Sequence, residues 1–136
     1  DVGETRIGIA ISDPIGLIAS PISTLKRQNE DTDIDEILRF VTEHDVEEIV
    51  VGLPISLSGR KGYQAQKTLN FAKVLDRKTE IPIVLVDERF STVVAERSLR
   101  ELGVKPSQTK AHVDAAAAAV ILQSHLESQR APTILD

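Results

Sequence analysis

Residues 5–12 read Thr-Arg-Ile-Gly-Ile-Ala-Ile-Ser, and this stretch decides the fold class of the chain. Its three isoleucines occupy every second position, so in an extended chain they line one face, as in a half-buried β-strand. The turn-forming sequence Asp13-Pro14-Ile15-Gly16 follows, and residues 18–25 read as a second short strand. The stretch therefore predicts an antiparallel hairpin or meander at the start of the domain.

Helices and strands alternate after this hairpin. Four helices are predicted: one capped by Thr32 or Asp33, one over residues 63–78, one capped by Ser91 or Thr92 and closed by Gly103, and one from Val113 or Asp114 to residue 128. Short apolar runs at 49–51 and 81–86 are typical of buried parallel strands. A strand that ends at Asp1 would have apolar residues before it, so we expect the first strand to begin upstream of Asp1. The prediction is an α/β fold with a mixed five-stranded sheet, antiparallel in its first three strands and then parallel, flanked by helices.

The bulk composition fits one globular domain over residues 1–136, with residues 130–136 as a flexible tail. The chain has no cysteine, which excludes disulfides, zinc–thiolate sites and cysteine nucleophiles. Neither a signal peptide nor an apolar run of membrane-spanning length is visible, so we expect a cytoplasmic protein without a membrane partner. The net charge of −5 counts mildly against a large nucleic-acid footprint but leaves room for a local basic patch.

Acidic residues stand where the predicted strands end. Asp1 closes the first strand, Asp87 and Glu88 close the last, and Asp114 opens the final helix. Ligands of open α/β sheets bind outside the carboxyl ends of the strands, so these acids would meet at one rim if the first and last strands are neighbours. Converging carboxylates repel one another unless a cation lies among them, and oxygen ligands suit Mg²⁺ or Mn²⁺. The acids therefore predict a two-metal site for phosphodiester hydrolysis.

Several of these residues also have a purely structural interpretation. Asp114, taken alone, suits a helix N-cap or first-turn acid better than a ligand. Glu88 and Arg89 could form an ordinary surface ion pair. Gly3 could let a phosphate approach the backbone beside Asp1, or simply make the tight turn between strands. No spacing among the three histidines suggests a metal site, and no Walker loop is present.

Basic residues in the loops are the candidates for contacting phosphates. Arg60 and Lys61 lie in a Gly- and Ser-rich loop before the second helix, and solvated surface charge explains them equally well.

Four motifs in order resemble the bacterial YqgF family, also called RuvX. They are Asp1-x-Gly3-x-x-Arg6-x-Gly8-x-Ala10, then Val51-Gly52-Leu53-Pro54 with Gly59, then Asp87-Glu88-Arg89-x-Ser91-Thr92, then Asp114-x-x-Ala117-Ala118-x-x-Ile121-Leu122-Gln123. The resemblance covers nearly the whole chain. It implies an RNase H-like fold and a divalent-metal nuclease, either Holliday junction resolvase-like or acting on pre-16S rRNA.

The resemblance also implies roles for individual residues. Catalytic acids would be Asp1, Glu88 and Asp114, with Asp87 as a further metal ligand. The motifs add Gly3, Arg6, Arg89 and Thr92 to Arg60 and Lys61 as residues that contact the substrate.

The sequence leaves several functions open. The leading hypothesis is a nuclease, monomeric or homodimeric, that processes the 5′ end of pre-16S rRNA, and cleavage of branched DNA at Holliday junctions is the alternative. An ATP-binding module is a further alternative because other RNase H-like folds also begin with Asp-x-Gly, although they need a second domain. A non-catalytic nucleic-acid-binding domain is the last.

Overall fold

A computed structural model describes residues 1–55, 62–88 and 110–130 of the chain. These ranges contain four strands and three helices: β1 Arg6–Ser12, β2 Ala19–Lys26, α1 Glu30–Glu43, β3 Ile49–Leu53, α2 Tyr63–Lys78, β4 Ile83–Asp87 and α3 Lys110–Arg130. The helix predicted after Ser91 or Thr92 and the tail predicted after residue 130 lie outside the described residues. None of the described helices is long and apolar enough to cross a membrane.

The predicted hairpin at the start of the domain is confirmed. β1 and β2 pair antiparallel from Arg6 opposite Lys26 to Ser12 opposite Ala19. The Asp13 carboxylate closes the turn by accepting hydrogen bonds from the Leu17 and Ile18 amides at 2.7 and 2.9 Å. These backbone bonds hold the pKa of Asp13 below its usual range.

The first helix begins earlier than predicted. Asn29, not Thr32 or Asp33, is the N-cap of α1, and its side chain accepts a hydrogen bond from the Thr32 amide at 2.9 Å. All three residue types suit a cap, so local pattern alone could not choose among them. Asp33 is instead buried inside the helix, where Arg27 Nε lies 3.2 Å from its carboxylate.

The second helix occupies the predicted residues, Tyr63–Lys78. It joins β3 to β4, which pair in parallel from Ile49 opposite Ile83 to Leu53 opposite Asp87. β4 begins two residues later than predicted because Pro82 has no N–H to donate to a neighbouring strand.

Helices cover both faces of the strands. On one face, Ile7 of β1 packs with Ile34 and Ile37 of α1 and with Phe71 and Leu75 of α2. On the other face, the alanine-rich side of α3 packs on the hairpin, with Ala19, Ala119 and Leu126 buried together. The small alanine side chains let α3 approach the strands closely. This mixed α/β arrangement is consistent with the predicted RNase H-like class.

The described strands do not form the single five-stranded sheet that the sequence predicted. They form two two-stranded sheets, β1–β2 and β3–β4. Ahead of β1, the pairing is limited to a Val2–Ile7 bridge and two hydrogen bonds between Asp1 and Gly8. A cavity of about 700 Å³ is lined by both β1 and β3, with α1, α2 and α3 contributing to its walls.

Candidate functional site

Asp1 is held against the beginning of β1 by backbone pairing. Its amino group donates to the Gly8 carbonyl at 2.9 Å, and the Gly8 amide donates to the Asp1 carbonyl at 2.9 Å. Two residues later, the Gly3 amide donates to the Arg6 carbonyl at 2.9 Å and closes the turn into β1. A Cβ on Gly3 would lie 2.7 Å from that carbonyl oxygen, so the turn requires glycine. This supports the structural interpretation of Gly3 and is compatible with the functional one.

Asp114 lies directly over the start of β1. A Cβ added to Gly8 would lie 2.0 Å from the Asp114 carbonyl oxygen, so only glycine allows α3 this approach. Because α3 begins at Lys110, Asp114 lies in the second turn of the helix. The prediction that Asp114 opens the helix is therefore wrong, and a role as N-cap is excluded. Its carboxylate instead forms an ion pair with Arg6 Nε.

Glu88 follows the last residue of β4 and reaches over β3. A Cβ added to Gly52 would lie 2.6 Å from Glu88 Oε1 and 2.6 Å from Ile121 Cδ1, so a glycine again makes room for an acid beside α3. Asp87, in register with Leu53, ends the strand next to it. Burial raises the pKa of the Glu88 carboxyl, the positive charge of the Asp1 amino group opposes this shift, and Asp87 reinforces it.

Electrostatic interactions connect Asp1 with Glu88 and Asp114 at one edge of the strands. Burial lowers the pKa of the Asp1 amino group to about 6, and both the Glu88 and Asp114 carboxylates oppose that shift. The Arg6 guanidinium, which pairs with Asp114, partly compensates the acids. Negative charge is therefore concentrated at this edge, and the positive charge of Arg6 lies beside it.

Of the predicted site residues, the structure gathers Asp1, Asp87, Glu88 and Asp114 at this edge together with Gly3 and Arg6. Among the residues that the structure describes, no three His, Asp or Glu side chains already stand in an arrangement that could hold a metal ion. The predicted substrate contacts Arg60, Lys61, Arg89 and Thr92 lie outside the described residues.

The two glycines that admit the acids were missed as site residues in the sequence analysis. Gly8 lies between two isoleucines of β1, on the opposite face of the strand, and Gly52 was named only as part of the Val51-Gly52-Leu53-Pro54 motif. A glycine inside a strand often marks a close approach of another group, and this was the available signal. The pairing of Arg6 with Asp114 had no local signal, since 108 positions separate them.

The family model described as RuvX, Holliday junction resolvase, matches residues 1–128. The chain belongs to the RuvX family.

Curated relatives match the chain along most of its length. One from Chloroflexus aurantiacus is 43% identical over 96% of this chain and 85% of its own length. One from Mycobacteroides abscessus is 47% identical over 96% of this chain and 80% of its own length. One from Clostridium acetobutylicum is 41% identical over 94% of this chain and 95% of its own length. All three bear the name "Putative pre-16S rRNA nuclease".

Proposed function

We propose that this protein is a metal-dependent nuclease that hydrolyses phosphodiester bonds in structured nucleic acid, with the 5′ end of pre-16S rRNA as its substrate. The observation that carries the proposal is the delivery of Glu88 and Asp114 to the edge where Asp1 begins, each admitted by a glycine. The name shared by the relatives supports the choice of substrate. Since pre-16S rRNA is processed where ribosomes assemble, we propose the cytoplasm as its location.

The donor set at this edge fits Mg²⁺ or Mn²⁺. Four carboxylates supply the hard oxygen ligands these ions prefer, and the described residues offer neither thiolate nor a histidine cluster to favour a softer metal. The residues proposed to hold the metal are Asp1, Asp87, Glu88 and Asp114. Two bound ions would activate water and stabilise the leaving oxygen.

The protein's own residues keep these acids in place and balance their charge. Gly8 and Gly52 fix the distance of α3 and of Glu88 from the strands. Arg6 neutralises Asp114 while no other cation is present, which limits the repulsion among the acids. We propose that Arg6 then turns to the substrate phosphate, with Gly3, Arg60, Lys61, Arg89 and Thr92 as further contacts.

Cleavage of four-way DNA junctions is the second candidate, and the description of the matching family favours it. A junction resolvase needs two sites related by a two-fold axis so that paired strands are cut symmetrically. A monomer in solution would favour RNA, and a homodimer would favour the junction. Sedimentation or light scattering with each substrate present separates the two.

Metal-dependent cleavage by variants of the acids tests the proposal. Asp1→Asn, Glu88→Gln and Asp114→Asn are each expected to lose about 10³-fold or more in cleavage of pre-16S rRNA fragments, because each removes a charge that stabilises the transition state through the metal. Asp76→Asn on the exposed side of α2 is the matched control and should cut normally. Equal cleavage by all four variants would refute the carboxylate site. ATP binding without cleavage would instead support an ATP-binding module.

We also propose that the two sheets are parts of one five-stranded RNase H-like sheet. A strand running antiparallel to β1 through the cavity would lie about 4.8 Å from each neighbour and would join β1 to β3. The Val2–Ile7 bridge and the Asp1–Gly8 pair already have this antiparallel direction at the cavity's edge. The β1 and β3 residues that line the cavity, such as Ile9 and Val50, are only partly buried, so they could pack further against such a strand.

Extension of the chain ahead of Asp1 tests this sheet. A seven-residue Val/Ile-rich extension should raise the melting temperature, whereas a Gly/Ser extension of the same length should not, because only the first can fill an apolar cavity with a paired strand. Equal melting temperatures for the two extended proteins would contradict the five-stranded arrangement.

A further inference from the structure

Tyr63 is an aromatic side chain left in solvent at the beginning of α2. It is 74% exposed, whereas Phe71, two turns further along the same helix, is 3% exposed. α2 follows β3 along the chain, so its first turn lies towards the carboxyl end of the parallel pair β3–β4. Glu88 follows the same end of β4. The exposed ring therefore stands on the side of the molecule that carries the acids.

Lys67 connects this ring to the turn beside Asp1. Its ammonium lies 4.3 Å from the centre of the Tyr63 ring and 3.9 Å from Glu4 Oε1. Glu4 immediately follows Gly3, whose carbonyl accepts a hydrogen bond from Arg27 at 3.0 Å. Contacts thus run from the ring through Lys67 to Glu4, three residues after Asp1.

The chemistry of this group suits an unpaired nucleobase. A flat ring with a cation over it offers a surface on which a base can stack, and every base has a face that can use it. Bases inside a duplex are already stacked on their neighbours, so only a base from a single-stranded region is free to take this position. Lys67, which is itself exposed, can meet the phosphate that flanks such a base.

We infer that Tyr63 is a stacking site for an unpaired nucleobase of the substrate, next to the phosphodiester bond that the acidic edge hydrolyses, and that Lys67 contacts the adjoining phosphate. The inference rests on the proposed nuclease function and narrows its substrate class to nucleic acid with a single-stranded segment at the site. A contact that only stabilises the helix would be the familiar pairing of side chains four residues apart.

Tyrosine fluorescence reports on this site alone, because Tyr63 is the single tyrosine of a chain that has no tryptophan. We expect a single-stranded RNA oligonucleotide, added in EDTA so that no cleavage occurs, to quench the fluorescence in a saturable manner. A blunt duplex containing the same sequence should quench it far less at equal occupancy. Binding of the single strand, followed by the anisotropy of a dye on the RNA, without any quenching would overturn the inference.

Substitutions at Tyr63 test the stacking by affinity. Tyr63→Ala should weaken binding of the single strand by roughly five- to a hundredfold, the range found when an aromatic side chain that stacks on one base is replaced by alanine. Tyr63→Phe should restore binding to within about twofold, because phenylalanine keeps the ring. Ile15→Ala is the matched control, since Ile15 is 76% exposed at the turn beyond the other end of β1. Unchanged affinity of Tyr63→Ala, with its helix content intact by circular dichroism, would show that the ring does not stack.

The stacking site and the nuclease function can fail separately. Glu88→Gln is expected to lose cleavage and to keep the fluorescence quenching. Quenching by a wild-type protein that never cleaves would retain the stacking site and refute the nuclease. Cleavage without quenching would retain the nuclease and refute the stacking site.

Discussion

The two ends of the buried side of α3 both pack against the β1–β2 hairpin, but they do so through different chemical groups. Near its start, the backbone carbonyl of Asp114 packs against Gly8, while the Asp114 carboxylate pairs with Arg6. Nine residues on, about 14 Å along the helix, Gln123 is 1% exposed and its oxygen accepts a hydrogen bond from the Ala19 amide at 2.8 Å. Its Nε2 donates to the Leu17 carbonyl at 3.0 Å.

The difference shows which end is built for stability. Gln123 is neutral and satisfies two backbone groups of the hairpin, so it locks α3 to β2 without any residual demand for a partner. Asp114 shares its edge with Glu88, whose pKa is raised by burial, and with the partly buried Asp87. Charges arranged in this way cost stability in the absence of a further cation. Such sites are commonly retained because they have a function.

The largest effects are expected when a methyl group is added at Gly8 or at Gly52, the two glycines that make room for Asp114 and Glu88. In Gly8→Ala the new Cβ meets backbone, 2.0 Å from the Asp114 carbonyl oxygen, so α3 must move off β1. We expect the free energy of unfolding to fall by about 3 kcal/mol or more. Gly52→Ala meets only the ends of side chains, Glu88 Oε1 and Ile121 Cδ1, and should lose about 1 kcal/mol.

Gly52→Ala should lose more activity than stability, and cleavage assays measure this loss. Displacing Glu88 by a fraction of an ångström to an ångström should lower the rate by up to about 10²-fold although the protein stays folded. Urea denaturation and cleavage are measured on the same samples. A Gly52→Ala protein with full activity would show that the position of Glu88 over β3 is unimportant.

Removing the neutral end of the comparison should affect stability alone. Gln123→Leu leaves the buried Ala19 amide and the Leu17 carbonyl without their partner, and should cost about 2 kcal/mol, less than two full desolvation penalties because leucine adds apolar burial. Gln66→Leu, on the exposed side of α2, is the control and should stay within about 0.5 kcal/mol of wild type. Urea denaturation measures both. Loss of cleavage by folded Gln123→Leu would mean that the two ends of α3 are not independent.

Local pattern was sufficient for the strands β1 to β4 and for α2, but it was insufficient for the starts of α1 and α3 and for contacts between distant residues. The isoleucine alternation predicted β1, and the helix predicted over residues 63–78 matches both ends of α2. The cap of α1 was missed because Asp33, a good cap by type, is held by Arg27 instead. The predicted start of α3 at Val113 or Asp114 is wrong because Asp114, a good cap by type, pairs with Arg6 from the second turn of a helix that begins at Lys110.

The candidate site likewise has features that the sequence predicts and features that it does not. Acids at the ends of strands could be read from the chain, but their meeting at one edge was predicted only on the condition that the first and last strands are neighbours. The steric role of Gly8 and Gly52 could not be predicted, because a missing Cβ matters only when the atoms that would meet it are known. The metal site itself remains a prediction until metal binding is measured.

Removing the charge that balances Asp114 should slightly lower the stability of the fold and should strengthen metal binding. Arg6→Gln deletes a partly exposed ion pair and should lower the free energy of unfolding by less than about 1 kcal/mol. Since Asp114 then has no competing cation from Arg6, Mn²⁺ titrated by calorimetry should bind more tightly. Arg39→Gln, which deletes the 2.7 Å pair with Glu36 on α1, is the control. Weaker Mn²⁺ binding by Arg6→Gln would mean that Arg6 holds Asp114 in its ligand position.

The smallest expected effect is a pH dependence of stability that Glu88 contributes. Because its pKa is raised in the folded state, protonation favours folding, and this contribution is present below the ordinary glutamate pKa and lost as the pH rises through the raised value. Glu88→Gln removes the cost of the buried charge. In EDTA, the variant should therefore melt slightly above wild type at pH 8, and this difference should shrink towards about pH 4, where glutamate is largely protonated in both states. Saturating Mn²⁺ should reverse the order at pH 8, because only the wild type keeps the ligand. A variant that melts below wild type in EDTA at pH 8 would show that ionised Glu88 stabilises the metal-free fold, and would place the acidic edge with Gln123 among the parts of the molecule that hold α3 in place.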